Sequence, residues 1–443
     1  MKRYEKYKDS GISWIGEIPE HWHVKRFASF ITLGKGLPIT KADLINEGIP
    51  VISYGQIHSN DNIFTGLNES LLRYVHPDFL ETNKQSLLNK YDLVFADTSE
   101  DIEGSGNFVL NDKEYKVFAG YHTIIVRLKG TKAQELSPKY LAYVLMSRAF
   151  RGQIQKRMNG VKVFSITRQI IRNTNIILPP FLEQKIIEEY LDKKIAKVDK
   201  YIQNKKKEIT ALDELKQSII AETVTKGLDK NVAMKDSDIA WIGKVPEHWK
   251  IKRSAMLFQE NKKKNSTLEY ERAMKFNYGT LVDKNETGEL KELEDTYKNY
   301  TILDKNDIVI NCLNLNYDFV SQRVAISPKR SIITSAYLVL RPRKNTNAHY
   351  YNYLLKAMDS MKLFHGMGTG IRLTLSFDEF KKQLLPIPPL SEQEVIVAYI
   401  NSKCEKIDKM KSSIESQITA LKEYKQRLIS DVVTGKRKVT SEN

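Results

Sequence analysis

Trp14-Ile15-Gly16-Glu17-Ile18-Pro19-Glu20-His21-Trp22 returns 227 positions later as Trp241-Ile242-Gly243-Lys244-Val245-Pro246-Glu247-His248-Trp249, with seven of nine residues identical. A second block opens at Pro179-Pro180 with Glu183-Gln184 and recurs at Pro388-Pro389 with Glu392-Gln393, a displacement of 209. Within it Tyr190, Asp199, Ala211-Leu212 and Val224-Thr225 recur as Tyr399, Asp408, Ala420-Leu421 and Val433-Thr434. Ordered blocks repeated in the same order mark one structural unit written twice. The two displacements differ by 18, so the stretch between blocks is 18 residues shorter in the second copy, and it shows little identity between copies. The frame is kept and the insert varies.

Each prolyl pair predicts a helix start: proline is tolerated in the first turn, an acid follows it, and apolar residues then recur every three to four positions. In the first copy the stripe is Leu191, Ile195, Val198, Ile202, Ile209, Leu212 and Ile219, interrupted by Lys205 and Lys216. In the second it is Cys404, Ile407, Ile414, Ile418, Leu421, Leu428 and Val432, interrupted by Lys411 and Lys425. This is heptad spacing. The stretch Glu183 to Ile220 would make a rod of about 57 Å at ~1.5 Å per residue. Its apolar seam needs a partner, and the other copy supplies an equivalent rod, so an intramolecular helix pair is expected; packing of each helix on its own domain is the alternative. Cys404 in the seam reads as a small buried hydrophobe.

The inserts, 25–178 and 252–387, carry short β-branched or aromatic runs that predict strands: Tyr91 to Phe95, His122 to Arg127, Ile308 to Ile310 and Tyr337 to Leu340. A helical segment over Pro138 to Gln155 has its counterpart at His349 to Phe364. The expected class is α+β, in segments 1–24, 25–178, 179–227, 228–251, 252–387 and 388–443. The first insert holds 20 basic and 14 acidic residues and the second 22 and 15, so most of the chain's net charge of +16 lies there. Such a balance favours polyanionic partners.

With 443 residues and 41% apolar side chains the chain can bury a large core, and no apolar run approaches the roughly 20 residues of a membrane-spanning helix. Its first residues are charged rather than signal-like, and its only cysteines are Cys312 and Cys404, which excludes a disulfide framework or a cysteine-rich zinc site. A cytoplasmic protein is expected. The densest basic segment, Arg148, Arg151, Lys156, Arg157, Lys162, Arg168 and Arg172, suits phosphate contact, as do Lys262-Lys263-Lys264, Lys362 and Arg372 in the second insert. A merely solvated basic face is the alternative.

Several signals for chemistry fail on inspection. The run Gly366 to Gly370 precedes a strand-like segment instead of opening a helix, so it is not a phosphate loop. Leu178-Pro179-Pro180-Phe181 resembles the signature of amino methyltransferases, but a leucine stands where an acceptor must hold the target amine. Asp78, Glu114 and Lys116 could be assembled into a nuclease site but have no equivalent in the second copy. His21 and His23 lack further zinc ligands nearby, and all four tryptophans lie in the repeated nine-residue blocks, where they would lock each unit to a helix end. No catalytic residue and no metal site is expected.

The tandem Trp-Ile-Gly-x-x-Pro-x-His-Trp blocks, variable basic inserts, and Pro-Pro-x-x-Glu-Gln blocks opening long helices resemble the specificity subunit of type I restriction-modification enzymes over nearly the whole chain. The resemblance implies two target recognition domains, here the inserts, in a tandem pseudo-repeat joined by two long antiparallel coiled-coil helices. Each domain would read one half of a bipartite, asymmetric site in double-stranded DNA, and the helix pair would set the unread spacer. It also implies a chain without catalytic activity. Two modification subunits would carry S-adenosylmethionine, and two restriction subunits would carry ATP, Mg and cleavage. The competing expectations are a stand-alone methyltransferase or nuclease, and a coiled-coil scaffold without a DNA role.

Overall fold

The computed structural model describes residues 3–12, 15–132, 134–158, 163–284, 290–368 and 373–440. Trp14, Lys162 and Arg372 lie outside these described residues. The chain divides into two compact units, Met1–Asn204 with Ser416–Asn443, and Lys205–Glu415.

In the first unit Tyr7–Asp9 pairs with Glu17–Pro19, and His23–Arg26 pairs with Asn175–Leu178, both antiparallel. A four-stranded antiparallel sheet follows, in the order Ile31–Lys35, Thr123–Leu128, Leu93–Ala96, Phe108–Leu110. The second unit repeats this: Met234–Asp236 with Lys244–Pro246, Lys250–Arg253 with Leu384–Ile387, and a sheet ordered Phe258–Glu260, Leu338–Pro342, Ile308–Ile310, Val324–Ile326. The inserts, so different in sequence, are thus built on one sheet topology, and the content is mixed helix and strand.

These central strands read as continuous apolar runs because both sheet faces are covered. In the first unit Leu93, Phe95, Phe108 and Val126 face a core shared with the helices, while Val94, Ala96, Val109 and Ile125 face a second core. Ile308, Ile310, Val324 and Leu340 against Val309, Ala325 and Val339 repeat the division in the second unit. The outer cores are closed differently. The first unit uses a three-stranded sheet containing Ile49–Ile52, and the second two antiparallel pairs, the hairpin of Met274–Asn277 with Thr280–Asp283 and the non-local pair of Thr301–Leu303 with Ser331–Ile333.

Three local departures from the expected elements have backbone causes. Tyr91 and His122 take left-handed φ values of 72° and 54°, so the strands start after them. The helix expected over Pro138 to Gln155 breaks at Ser147 into Pro138–Met146 and Arg148–Gln155. There Ser147 Oγ accepts from the Phe150 N–H at 3.3 Å and caps the second piece. The counterpart in the second unit is one helix, Ala348–Ser360.

The two long helices are Phe181–Lys226 and Leu390–Val433. Gly227 and Gly435 follow them with φ of 74° and 73°, the left-handed ending that glycine adopts without a Cβ clash. The lysines that interrupt the apolar stripe have partners. Lys425 pairs with Asp199 at 2.7 Å in the first unit; in the second, Lys216 pairs with Asp408 at 2.7 Å and Lys411 with Asp213. Lys205 pairs within its own helix, with Glu208 at 2.8 Å. Leu191, Ile195, Val198, Ile202, Ile407, Ile414 and Leu428 are buried. Ile209, Leu212, Ile219, Ile418 and Leu421 are half-buried.

Candidate nucleic-acid interface

The repeated blocks form a lock at the base of each insert. Trp22 is fully buried and its indole Nε1 donates to Glu183 Oε2 at 3.0 Å, in the first turn of the central helix. Trp249 does the same to Glu392 Oε2 at 3.0 Å. His21 and His248 reach the same carboxylates at 2.9 and 2.8 Å, so these histidines serve the lock. A Cβ at Gly435 would lie 3.2 Å from Trp22, and one at Gly227 3.3 Å from Trp249, so each indole also abuts a helix end. The neighbouring glutamines anchor the insert: Gln184 Oε1 accepts from the Ser137 N–H at 2.9 Å, and Gln393 Oε1 from the Asn347 N–H at 3.0 Å, each just ahead of an insert helix.

Above this base, the loop between the third and fourth strands of each sheet is held by a guanidinium. In the first unit the loop is 97–107. Arg151, on the helix Arg148–Gln155, donates to Asn107 Oδ1 at 2.8 Å, to the Ser105 carbonyl at 3.3 Å and to the Glu103 carbonyl. Burial lowers its pKa, opposed by Asp101 and Glu103. Gln155 adds a bond to the Ile102 carbonyl at 3.0 Å. In the second unit the loop is 311–323, and the clamp is its own last residue. Arg323 is fully buried and donates to the carbonyls of Leu313 at 2.6 Å, Asp318 at 2.7 Å, Asn311 at 3.1 Å and Asn314 at 3.3 Å.

Each clamped loop walls a cleft. The first is about 1140 Å³, lined by the loop with Tyr54, His58, His122, Arg148 and Gln426. His58 is fixed between the Thr98 carbonyl at 2.8 Å and Asn107 at 3.1 Å, and Tyr54, Tyr121 and His122 pack edge to face beside it. Glu100, Asp101 and Glu103 make this wall rich in acceptors, suited to exocyclic amines such as cytosine N4. The second cleft, about 370 Å³, is lined by Gln322 of the loop with Tyr278, Lys216, Gln217, Tyr353 and Lys356. Gln217 and Gln426 are the same position of the repeat. Lys356 has its pKa lowered, first by burial and then by Lys216.

Of the basic residues singled out from sequence, the fold brings Arg148 and Arg151 to one cleft, Arg148 exposed and Arg151 occupied in the clamp. Lys156, Arg157 and Arg168 are exposed, with Arg157 donating to the Gln153 carbonyl at 3.1 Å. Lys262 pairs with Glu260 at 2.8 Å, Lys263 is exposed, and Lys264 donates to the Asn299 carbonyl at 3.0 Å. Lys362 is half-buried with a left-handed φ of 59°. Asp78 and Glu114, weighed for metal, pair with His76 and Lys90. Sequence reading passed over Arg323, Tyr278 and the tip Tyr317-Asp318-Phe319-Val320; the only signal was an aromatic cluster in an asparagine-rich stretch without periodicity. Among the described residues no helix is long and apolar enough to cross a membrane.

Comparison with known proteins agrees with this double construction. The family model of the type I restriction modification DNA specificity domain matches twice, over residues 19–211 and 246–420. The StySPI specificity subunit of Salmonella potsdam is 20% identical over 429 residues, covering 95% of this chain and 90% of that protein. The MjaVIII specificity subunit of Methanocaldococcus jannaschii is 24% identical over 220 residues, so the chain spans about half of that relative, 48% of its length. A solved chain from a type I R-M system superposes with a TM-score of 0.64 at 14% identity, covering 94% of this chain and 98% of that one, a likeness of fold alone. Two family matches that together span most of the sequence, each enclosing one sheet and its clamped loop, carry the assignment: the chain belongs to the family of type I restriction modification DNA specificity domains.

Proposed function

We propose that this protein is the DNA-specificity subunit of a type I restriction-modification complex. Its recognition domains, 25–178 and 252–387, each read one half of a bipartite, asymmetric site in double-stranded DNA. The observation that carries this reading is one sheet with one clamped loop built twice, while the loops differ in chemistry. Two readers of different sequences need that combination: rigid support in common, and base-facing side chains free to diverge. The net positive charge of both inserts supports DNA as the polyanion.

The long helices act as an antiparallel coiled-coil pair whose length fixes the unread spacer. Asp199 with Lys425 and Asp408 with Lys216 are the same two repeat positions used reciprocally, which supports a registered pair. The charged outer faces of these helices dock two modification subunits, and two restriction subunits complete the assembly. The chain itself does no chemistry; S-adenosylmethionine, ATP and Mg belong to the partner subunits.

The test is co-expression with the modification subunit, selection from a random DNA library, and sequencing of retained molecules. A split motif with a constant unread gap is expected, and exchanging insert 25–178 for that of a relative should change one half alone. A contiguous motif, or salt-sensitive binding without a motif, would sink the reading.

A further inference from the structure

On the second unit large apolar side chains stand in solvent on a loop tied together by its own hydrogen bonds. Val320 is 91% exposed, Tyr317 80% and Phe319 54%. Beneath them Arg323 ties four carbonyls of the loop together, and its own N–H donates to buried Asp359 Oδ2 at 2.6 Å. At the tip Asp318 Oδ1 accepts from the N–H groups of Ser321 at 2.9 Å and Val320 at 3.1 Å. Phe319 stacks on His365 with ring centroids 4.6 Å apart, and His365 Nε2 lies 3.0 Å from the Asp318 carbonyl. A second tip leans on this loop. Tyr278, 90% exposed, and Gly279 form a tight turn with φ of 45° and 74°, and a Cβ at Gly279 would lie 2.5 Å from Gln322 Oε1. A loop without internal bonds would lose backbone entropy on ordering against a partner; the clamp and tip bonds of this one reduce that cost.

We propose that Tyr317 and Val320 enter a base step of the DNA half-site as an apolar wedge, with Tyr278 against its flank. The inference rests on the function proposed above. Apolar side chains inserted between bases unstack them and kink the duplex, most cheaply at the deformable pyrimidine–purine steps. Three observations favour DNA over a protein partner. The insert carries 22 basic against 15 acidic residues. Lys216 and Lys356 line the cleft that Gln322 of this loop and Tyr278 also wall. The loop at the same place in the first unit holds Asp97, Glu100, Asp101 and Glu103 and no aromatic residue. A docking surface shared by both units would keep like chemistry at both loops, whereas sequence reading requires the divergence seen.

The experiment uses the full chain with its modification subunit and the selected DNA site, with 2-aminopurine placed in turn along the half read by the second unit. A several-fold rise in fluorescence is expected at one step. In the double variant Tyr317→Ser, Val320→Ser the rise should vanish, with binding weakened roughly 10-fold to 100-fold, the range of lost base contacts. The preference for the other half should stay unchanged. Both side chains are exposed, so an unchanged melting curve is expected, and Tyr317→Phe should keep the signal. A double variant that retains both the rise and the motif overturns the wedge, as does one that loses the modification subunit while still selecting the half-site. If the wild-type complex selects no split motif, the function proposed above falls and the wedge with it; a split motif kept whole by the double variant together with the fluorescence rise defeats the wedge alone.

Discussion

The loops 97–107 and 311–323 join the same two strands of the same sheet and are both pinned by an arginine, yet almost nothing else about them agrees. The first is acidic and gripped from a neighbouring helix by a half-buried Arg151; the second is apolar at its tip and gripped from within by a fully buried Arg323. The contrast teaches that the frame constrains where a loop must be held and leaves open what it presents. Immobilising backbone carbonyls costs the same whatever side chains point outward, so the clamp is kept while the chemistry beyond it diverges.

The two clamps should differ in energetic weight. Arg323→Met removes a fully buried guanidinium that serves four carbonyls and should destabilise the second unit by about 3–5 kcal/mol, against about 1–3 kcal/mol in the first unit for Arg151→Met, where the guanidinium is half-buried. Urea unfolding of the full chain, with a probe in each unit, measures both, and equal losses would break the comparison. Replacing loop 97–107 by that of a relative should weaken the old half-site by about 1–3 kcal/mol and leave the other half alone, as read by library selection. Loss at both halves would mean the loops are not independent readers.

Where the units agree, substitutions should agree too. Trp22→Phe and Trp249→Phe each remove one indole donor to a half-buried carboxylate and should cost about 1.5–3 kcal/mol alike, measured by thermal melting. The ion pairs of the long helices are partly exposed, with Lys425 at 22% and Asp199 at 41%, so a double-mutant cycle on Asp199 and Lys425 should return only about 0.2–1 kcal/mol. The same cycle on Lys216 and Asp408 should match it. The smallest effect concerns acid. The N–H of Ser321 holds the Asp318 carboxylate at about 2, below its ordinary 3.8. A depressed folded pKa contributes stability above the ordinary value and loses it as pH falls towards the folded one. Asp318→Ala should therefore lower the second unit's stability slightly at neutral pH and flatten its acid limb between about pH 4 and pH 2, so that variant and parent converge below about pH 2.

How much of this was legible beforehand follows from the range of the interactions. The repeated blocks, the helix starts at Pro179-Pro180 and Pro388-Pro389, and the apolar stripes are local patterns, and the helices stand where those patterns put them, extended to Phe181–Lys226 and Leu390–Val433. The strand runs Ile308–Ile310 and Leu93–Ala96 were equally plain, because burial on both faces makes a continuous apolar string. By contrast Lys216, Lys411 and Lys425 read as faults in a stripe until their aspartate partners, some 200 positions away, were placed opposite them. Arg151 had the same look as Arg148, three residues before it, and only the packed loop shows that one is occupied by carbonyls and the other stands at the cleft.

Sequence alone therefore determined the doubling, the helices and the α+β class, since periodicity and repetition are written in neighbouring residues. The tertiary structure decided which guanidinium holds which loop and which aromatic side chains remain in solvent. A hydrogen bond or a buried surface has two sides, and in this chain the second side lies as near as the next residue and as far as 428 residues away.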